Sequence, residues 1–196
     1  SRFFWTMSCG PFSAAQAAEP GAIESDLVIT VQGEERHVSL DEALKLLNIP
    51  SASVALIDEG RIAFANAYGE NATPDTVYQA ASLSKFVAAV GAMRLVEDGT
   101  LDLDQDVNDK LTSWRVPSNA LDATHKVTLR GLLSMTGGIS VPGFLGYEAG
   151  APLPTLPQIL DGSPPANSPP VTVIAVPGSA YHYSGGGYEI AEALMQ

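Results

Sequence analysis

The chain contains one cysteine, Cys9, and three histidines among its 196 residues. A single cysteine excludes a disulfide within the chain and any cysteine-based zinc site. The three histidines, His37, His125 and His182, lack the short spacings at which zinc ligands usually occur. We therefore expect the protein to use neither a metal nor another cofactor.

Positive charge is also scarce, because ten lysines and arginines stand against 22 aspartates and glutamates, which gives a formal net charge of -12. We expect neither nucleic acid nor an anionic membrane as a partner, since their phosphates need cationic side chains to neutralise them. No run reaches the roughly 20 apolar residues needed to span a bilayer. The hydrophobic share of 45% and the charged share of 16% indicate a globular domain, or a large piece of one.

Residues 1–25 are interpreted as an N-terminal arm or the remnant of a signal peptide. Arg2, the sixteen uncharged residues after it and the small residues Ala-Ala-Gln-Ala-Ala resemble a secretory signal with its cleavage site. Gly10-Pro11 interrupts the apolar region, so an uncleaved arm remains an equal alternative. A signal would make the protein periplasmic or secreted, and the alternative is a cytoplasmic location.

Residues 26–98 have the pattern of an α/β segment of the α+β type. A short strand is expected at 28–31, and a β-hairpin over 51–69, where apolar residues alternate around a turn. Between them a helix begins at Ser39, which stands three residues before a glutamate in a capping-box pattern. A second helix is expected over 82–98. Its apolar residues cover more than one face, which predicts burial on most sides.

Residues 99–196 indicate a helical, loop-rich subdomain. A short strand or turn is expected within 125–138, and the proline- and glycine-rich region 142–179 reads as a lid or loop-dominated part with one short helix near 156–160. The last helix is expected to start after the glycines at 185–187. Apart from that possible short strand, the predicted strands all precede residue 70, and a single hairpin is not stable alone, so the antiparallel sheet is expected to be incomplete in this chain.

The stretch "AASLSKFVAA" at 80–89 places Ser82 three residues before Lys85 at the start of the second helix. A serine there lies near free backbone N–H groups and the positive end of the helix dipole, which favour a developing oxyanion. A lysine at i+3 lies on the same face, and if it is desolvated beside Phe86 and Val87 it can accept the serine proton without any histidine. The alternative is a capping serine and a solvated first-turn lysine.

Four stretches together resemble the serine β-lactamase and penicillin-binding-protein superfamily, in its branch of class C β-lactamases, D-alanyl-D-alanine carboxypeptidases and esterases. They are "IPSASVALIDEGRIAFANAYG", "ATPDTVYQAASLSKFVAAVGAMRLVEDGTLDLDQDV", "VTLRGLLSMTGGI" and "VPGSAYHYSGGGYEIAEAL", in family order over most of residues 48–196. The resemblance implies the β-lactamase/transpeptidase-like fold, in which an antiparallel sheet flanked by helices is joined to a mainly helical subdomain.

The resemblance also implies roles for individual residues. Ser82 would be the acylated nucleophile, Lys85 its proton acceptor, and Tyr183 the tyrosine that shuttles a proton between serine, leaving group and water. Gly185 stands where the family usually has an asparagine that binds the substrate's amide carbonyl. Tyr188, by contrast, is expected to be an ordinary packed aromatic.

These roles imply a serine hydrolase that acts through an acyl-enzyme on a small ester or amide, with esters favoured by Gly185. A slow-turnover penicillin-binding or sensor-type module is the alternative. The family's third motif, a lysine- or histidine-threonine/serine-glycine triplet on a core strand, is absent from the sequence. We therefore expect the chain to correspond to the N-terminal part of a longer family member and to show little activity in isolation. A further alternative is a fragment that is inactive without its C-terminal half, which a second chain could supply.

Overall fold

The computed structural model describes residues 20–196. The predicted N-terminal arm, including Cys9, lies outside the described residues up to residue 19, and its end forms helix α1 (Pro20–Ser25). The described chain belongs to two compact units, which meet in sequence between Gln79 and Ala80.

The first unit contains two antiparallel hairpins. Strand β1 (Leu27–Val31) pairs with β2 (Glu34–Val38), and β3 (Ser51–Asp58) pairs with β4 (Arg61–Gly69). The strand expected at 28–31 and the hairpin expected over 51–69 are confirmed. Strand β2 was not predicted, because its residues Glu-Glu-Arg-His-Val are almost all polar and exposed and so carry no hydrophobic alternation.

Helix α2 (Leu40–Leu46) begins as its sequence predicts. The Ser39 side chain accepts a hydrogen bond from the Glu42 N–H, and the Glu42 carboxylate accepts one from the Ser39 N–H at 2.9 Å. This reciprocal capping box satisfies two N–H groups that the helix start would otherwise leave without partners. The helix buries Leu40, Ala43 and Leu44, which with Ile29 of β1 form the small core of this unit.

The second unit is built around helix α6 (Gly185–Met195), which contacts α3 (Ser84–Glu97), α4 (Leu129–Leu133) and α5 (Leu156–Asp161). The side chains at its centre are almost completely inaccessible: Leu129, Leu132, Leu160, Val171 and Ile190. The region 142–179 is largely irregular, as expected, and the short helix near 156–160 is confirmed as α5. This packing places the N-terminal ends of α3 and α6 in one unit.

Two boundaries differ from the prediction. The stretch 125–138, where a short strand or turn was expected, contains helix α4, because the Thr128 side chain accepts a hydrogen bond from the Gly131 N–H and caps a helical turn. Thr128 itself forms an isolated β-bridge with Asp106. Helix α6 begins at Gly185 itself and not after the three glycines. Ser184 is its N-cap and accepts a 2.8 Å hydrogen bond from the Gly187 N–H, so the cap outweighs the low helix propensity of glycine.

The predicted burial of α3 on most sides is wrong. Ala92 is its only fully buried residue, whereas Phe86 is 75% exposed. The other apolar side chains on this exposed surface are Val87, Val90 and Met93. Within its unit the helix packs on one side, against α6, and Leu95 and Val96 are the larger residues that pack against the core.

The fold is thus mixed α/β, with small antiparallel sheets and helices. Within residues 20–196 the strands form two separate two-stranded sheets, so the sheet is as incomplete in this chain as expected. No helix in the described part of the chain has the length and apolar character needed to cross a membrane.

Candidate active site

Ser82 lies in a single 3-10 turn, Ala81–Leu83, that leads directly into α3. Its side chain caps neither the turn nor the helix, because no side-chain capping bond is present at either start. Ala81, the residue before it, has a positive φ of 45°, a left-handed conformation that costs a non-glycine residue about 1–2 kcal/mol. The hydroxyl of Ser82 is therefore exposed at the head of the helix and free for other partners.

Lys85 is the first of these partners. Its Nζ donates a 3.2 Å hydrogen bond to the Oγ of Ser82, which is the contact that the i+3 spacing predicts. Lys85 is half-buried, but Phe86 and Val87 are exposed to solvent. Contrary to the sequence-based hypothesis, these two side chains therefore do not desolvate the lysine.

Tyr183 is the second partner, and it comes from the segment just before α6. Its hydroxyl donates a 2.6 Å hydrogen bond to the Oγ of Ser82, and its ring centroid lies 5.2 Å from the Nζ of Lys85. The hydrogen bond with Ser82, followed by the nearby Lys85 amine, lowers the pKa of Tyr183 below its ordinary value because both partners stabilise the phenolate. Ser82, Lys85 and Tyr183 thus meet at one oxygen atom.

The backbone on both sides of Tyr183 is held by Met135, just after α4. The His182 N–H donates to the Met135 carbonyl at 2.7 Å, and the Ser184 N–H donates to the Met135 Sδ at 3.3 Å. Ser184 is itself buried and donates a 2.6 Å hydrogen bond to the Ser140 carbonyl. The tyrosine is therefore carried by a segment that is hydrogen-bonded on either side of it, a role for Met135 that nothing in the sequence signals.

Tyr188 also reaches this site, contrary to the expectation of an ordinary packed aromatic. Its ring centroid lies 5.7 Å from the Nζ of Lys85, and its hydroxyl donates a 3.2 Å hydrogen bond to the Leu133 carbonyl. Burial raises the pKa of Tyr188, and Tyr183 acts in the same direction. Nothing in the sequence indicated this contact, because it depends on how α3 packs against α6.

Gly185, the fourth predicted site residue, has a different environment. It is the buried first residue of α6, and its N–H donates a 3.1 Å hydrogen bond to the Pro142 carbonyl. A Cβ at this position would lie 3.2 Å from both the Phe144 ring and the Pro142 oxygen. The backbone and ring of the loop at 142–144 therefore occupy the space into which a larger side chain would extend.

Other ionisable groups complete the surroundings. Burial raises the pKa of Glu189 and the neighbouring Glu192 adds to this, while Lys85 opposes them. Within residues 20–196 no group of three or more histidine, cysteine, aspartate or glutamate side chains is arranged to hold a metal ion. At the site itself, the Ser82 hydroxyl is flanked by the Lys85 amine and the Tyr183 phenol.

Comparisons with known proteins place this arrangement in a family context. The sequence profile of the beta-lactamase family matches residues 40–196. Penicillin-binding protein 4 of Amycolatopsis lactamdurans is 30% identical over 146 residues, which cover 70% of this chain and 37% of that protein.

Two solved structures are similar in fold. The chain superposes on EstCE1, described as a hydrolase with promiscuous acyltransferase activity, with a TM-score of 0.55 and 27% identity, over 78% of this chain and 43% of that one. It superposes on a beta-lactamase/D-alanine carboxypeptidase from Yersinia pestis with a TM-score of 0.52 and 19% identity, over 74% of this chain and 42% of that one. The chain thus spans well under half the length of these relatives.

Proposed function

The chain belongs to the beta-lactamase family, and from that premise we propose that it carries the nucleophile half of a serine hydrolase that acts on small esters or amides through an acyl-enzyme. One observation carries the proposal: the Oγ of Ser82 lies within hydrogen-bonding distance of both Lys85 Nζ and the Tyr183 hydroxyl. A serine hydroxyl is a weak nucleophile unless a base within such reach removes its proton.

In the first step the Ser82 Oγ attacks the carbonyl carbon of the substrate, and its proton passes to the Lys85–Tyr183 pair. The bond to the leaving alcohol or amine breaks, and the pair returns the proton to that leaving group. Water then attacks the acyl carbon, gives up a proton to the pair and releases the acid, while the proton returns to Oγ. In acylation and again in deacylation the pair acts first as base and then as acid, as general acid–base catalysis requires.

Lys85 and Tyr183 divide this work by geometry. Lys85 is in the first turn of α3, directly after the 3-10 turn that contains Ser82, so it is the proton acceptor whose distance the local backbone sets. Tyr183 comes from another segment and has a lowered pKa, which makes its phenolate a better proton carrier than that of an ordinary tyrosine.

Esters are the favoured substrates within this proposal. Gly185 has no side chain that could donate or accept a hydrogen bond, and the loop at 142–144 fills the space beside it. A site without a partner for the amide group recognises amides poorly, because their desolvated N–H and carbonyl are left unpaired.

A fluorophosphonate probe tests the nucleophile. We expect the 196-residue chain to gain one adduct by intact mass, and peptide mapping to place it on Ser82. Ser82→Ala should remain unlabelled with an unchanged circular dichroism spectrum. Ser84→Ala is the matched control, because Ser84 is an exposed serine two positions away. Labelling of Ser82→Ala at the wild-type rate would refute the proposal.

A second candidate is a penicillin-binding module that acylates and hardly deacylates. The 30% identity to penicillin-binding protein 4 favours it. One measurement distinguishes the two functions. A chromogenic penicillin and a p-nitrophenyl ester are each mixed with the protein, and the product released is followed over time. Release of one equivalent followed by a plateau supports the module, whereas continued turnover of the ester supports the hydrolase.

We also propose that full turnover requires the remainder of a family cleft, supplied by a second chain or by further residues of the same protein. The support is that the chain matches only 42–43% of the solved relatives. Residues 1–196 alone should then turn over p-nitrophenyl esters slowly. Fast, sustained turnover by the isolated chain would contradict this part of the proposal.

A further inference from the structure

Helix α3 alone does not fix the position of the Lys85 amine. A lysine side chain has four rotatable bonds and loses about 2 kcal/mol of rotamer entropy when it is fixed. Its neighbours on the exposed surface of α3, Phe86 and Val87, are 75% and 70% exposed and so leave this side chain unconstrained. Lys85 donates a 3.2 Å hydrogen bond to Ser82, and the exposed ring of Tyr183 lies 5.2 Å from its Nζ, which together restrain so flexible a group only weakly.

Tyr188 supplies a restraint from the facing helix. Its ring centroid lies 5.7 Å from Lys85 Nζ, within the range of a cation–π contact. The ring itself is fixed, because it is half-buried and its hydroxyl donates to the Leu133 carbonyl at the end of α4. The hydroxyl is thereby used for anchoring, and the face of the ring is what Tyr188 offers to Lys85.

We infer that Tyr188 is a positioning residue, whose anchored ring holds the Lys85 amine against the Oγ of Ser82. The inference rests on the proposed function for its catalytic consequence, but the placement of Lys85 is a structural claim of its own. The hydroxyl of Tyr188 is bonded to the Leu133 carbonyl and its ring lies beside Lys85, so its proposed effect on Ser82 runs through Lys85. The raised pKa of Tyr188 is consistent with this role, because a protonated hydroxyl keeps its bond to Leu133.

The placement is tested without any catalysis. The chain has four lysines, so a sample labelled with 13C at the lysine ε carbon gives four ε-methylene signals, and Lys85→Arg identifies the one that belongs to Lys85. We expect ring currents to shift the Lys85 signal away from the other three. Tyr188→Leu should move it towards them, whereas Tyr188→Phe, which keeps the ring, should not. An unmoved signal in Tyr188→Leu would overturn the inference.

The catalytic consequence is tested with the fluorophosphonate probe at saturating and at low concentration. Loss of a cation–π contact corresponds to a roughly 2- to 30-fold change in an equilibrium or rate. Tyr188→Leu should lower the maximal labelling rate by that factor and leave the half-saturating probe concentration unchanged. Tyr188→Phe should restore the rate to within about threefold, because the ring carries the contact. Tyr181→Leu is the matched control, since Tyr181 is 65% exposed in the same segment.

A double-mutant cycle separates positioning from a merely structural effect. If Tyr188 acts through Lys85, adding Tyr188→Leu to Lys85→Ala should cause no further loss of the residual labelling rate. Additive losses would overturn the inference. So would a Tyr188→Leu variant in which the maximal labelling rate falls, the half-saturating probe concentration changes and the melting temperature drops together. Absence of labelling in the wild type would instead refute the proposed function, while a displaced Lys85 signal would still support its placement by Tyr188.

Discussion

Tyr183 donates a 2.6 Å hydrogen bond to the Oγ of Ser82, although the two residues are 101 positions apart. The contact exists because α3 and α6 pack together, which brings the start of one helix to the segment that leads into the other. Lys85, from the same turn as Ser82, completes a group of three polar side chains around one oxygen. A local motif and a distant residue therefore converge only in the folded chain.

Tyr183→Phe should reduce acylation of Ser82 strongly and leave the fold intact. The substitution keeps the ring near Lys85 but removes the hydroxyl that carries the proton, and such general acid–base groups contribute about 100- to 10,000-fold. The measurement is the rate of fluorophosphonate labelling together with the urea midpoint. Tyr181→Phe removes an exposed hydroxyl nearby and should behave as wild type. A Tyr183→Phe variant with the wild-type labelling rate would remove Tyr183 from the mechanism.

The phenolate of Tyr183 should form at lower pH than that of an ordinary tyrosine. Its pKa is lowered chiefly by Ser82 and then by Lys85, so deprotonation proceeds as pH rises through a value below the usual one. The difference in phenolate absorbance between wild type and Tyr183→Phe reports this transition alone. Acylation should rise with pH through the same transition, because the Tyr183 phenolate formed there can take up the Ser82 proton.

Ser82→Ala provides the check on the cause of that shift. Removing the hydroxyl eliminates the largest contribution, so the Tyr183 transition should move to higher pH in this variant. A transition that stays in place would show that Ser82 does not stabilise the phenolate.

The parts of the fold that the sequence predicted are those with a local cause. Ser39 and Glu42 form their capping box within one turn, and the hairpin over 51–69 follows from alternation around a tight turn. Helix α4 was mistaken for a strand or turn because its start is preceded by the β-branched residues Val127 and Thr128. The capping bond of Thr128, which decides the matter, is visible only in the structure.

The candidate site shows the same division between local and distant causes. The spacing of Ser82 and Lys85 follows from helix geometry, and the placement of Tyr183 beside them could be expected only through a family resemblance. Tyr188 and Met135 were missed, since an aromatic ring over an amine and a thioether bonded to an N–H depend on tertiary packing. The burial of α3 was overestimated because apolar composition alone does not show which partners a helix has.

Gly186→Ala should destabilise the chain, whereas Gly187→Ala should not. A Cβ at 186 would lie 2.8 Å from the Ser140 carbonyl oxygen and 3.0 Å from both Val171 methyl groups. Overpacking of this kind costs about 1–3 kcal/mol in the free energy of unfolding. At 187 the nearest atoms are 3.5 Å away, and the higher helix propensity of alanine adds up to about 1 kcal/mol. Urea unfolding of the two variants gives the comparison, and equal midpoints would contradict it.

Gly185→Asn should fail to give the site better recognition of amides. The new Cβ would lie 3.2 Å from the Pro142 oxygen, a backbone atom that cannot rotate away, and equally close to the Phe144 ring. We expect a lower urea midpoint and slower labelling of Ser82. Phe144→Ala in the same chain should recover only part of the stability, because the contact with Pro142 remains. A stable Gly185→Asn variant with faster acylation by a penicillin would contradict the conclusion that the loop at 142–144 leaves no room for a side chain at residue 185.

Met135→Leu should slow acylation of Ser82 although Met135 contacts none of the reacting groups. Leucine has a similar volume, so the packing is preserved, but the Ser184 N–H loses its 3.3 Å acceptor and the segment that holds Tyr183 is less restrained. An N–H left unpaired costs about 1–3 kcal/mol, so we expect a lower urea midpoint and a labelling rate reduced roughly 5- to 100-fold. Met93→Leu, at an exposed position of α3, is the matched control and should leave both unchanged. If Met135→Leu keeps the wild-type labelling rate, the carbonyl of residue 135, which still accepts from His182, is sufficient to hold Tyr183 in place.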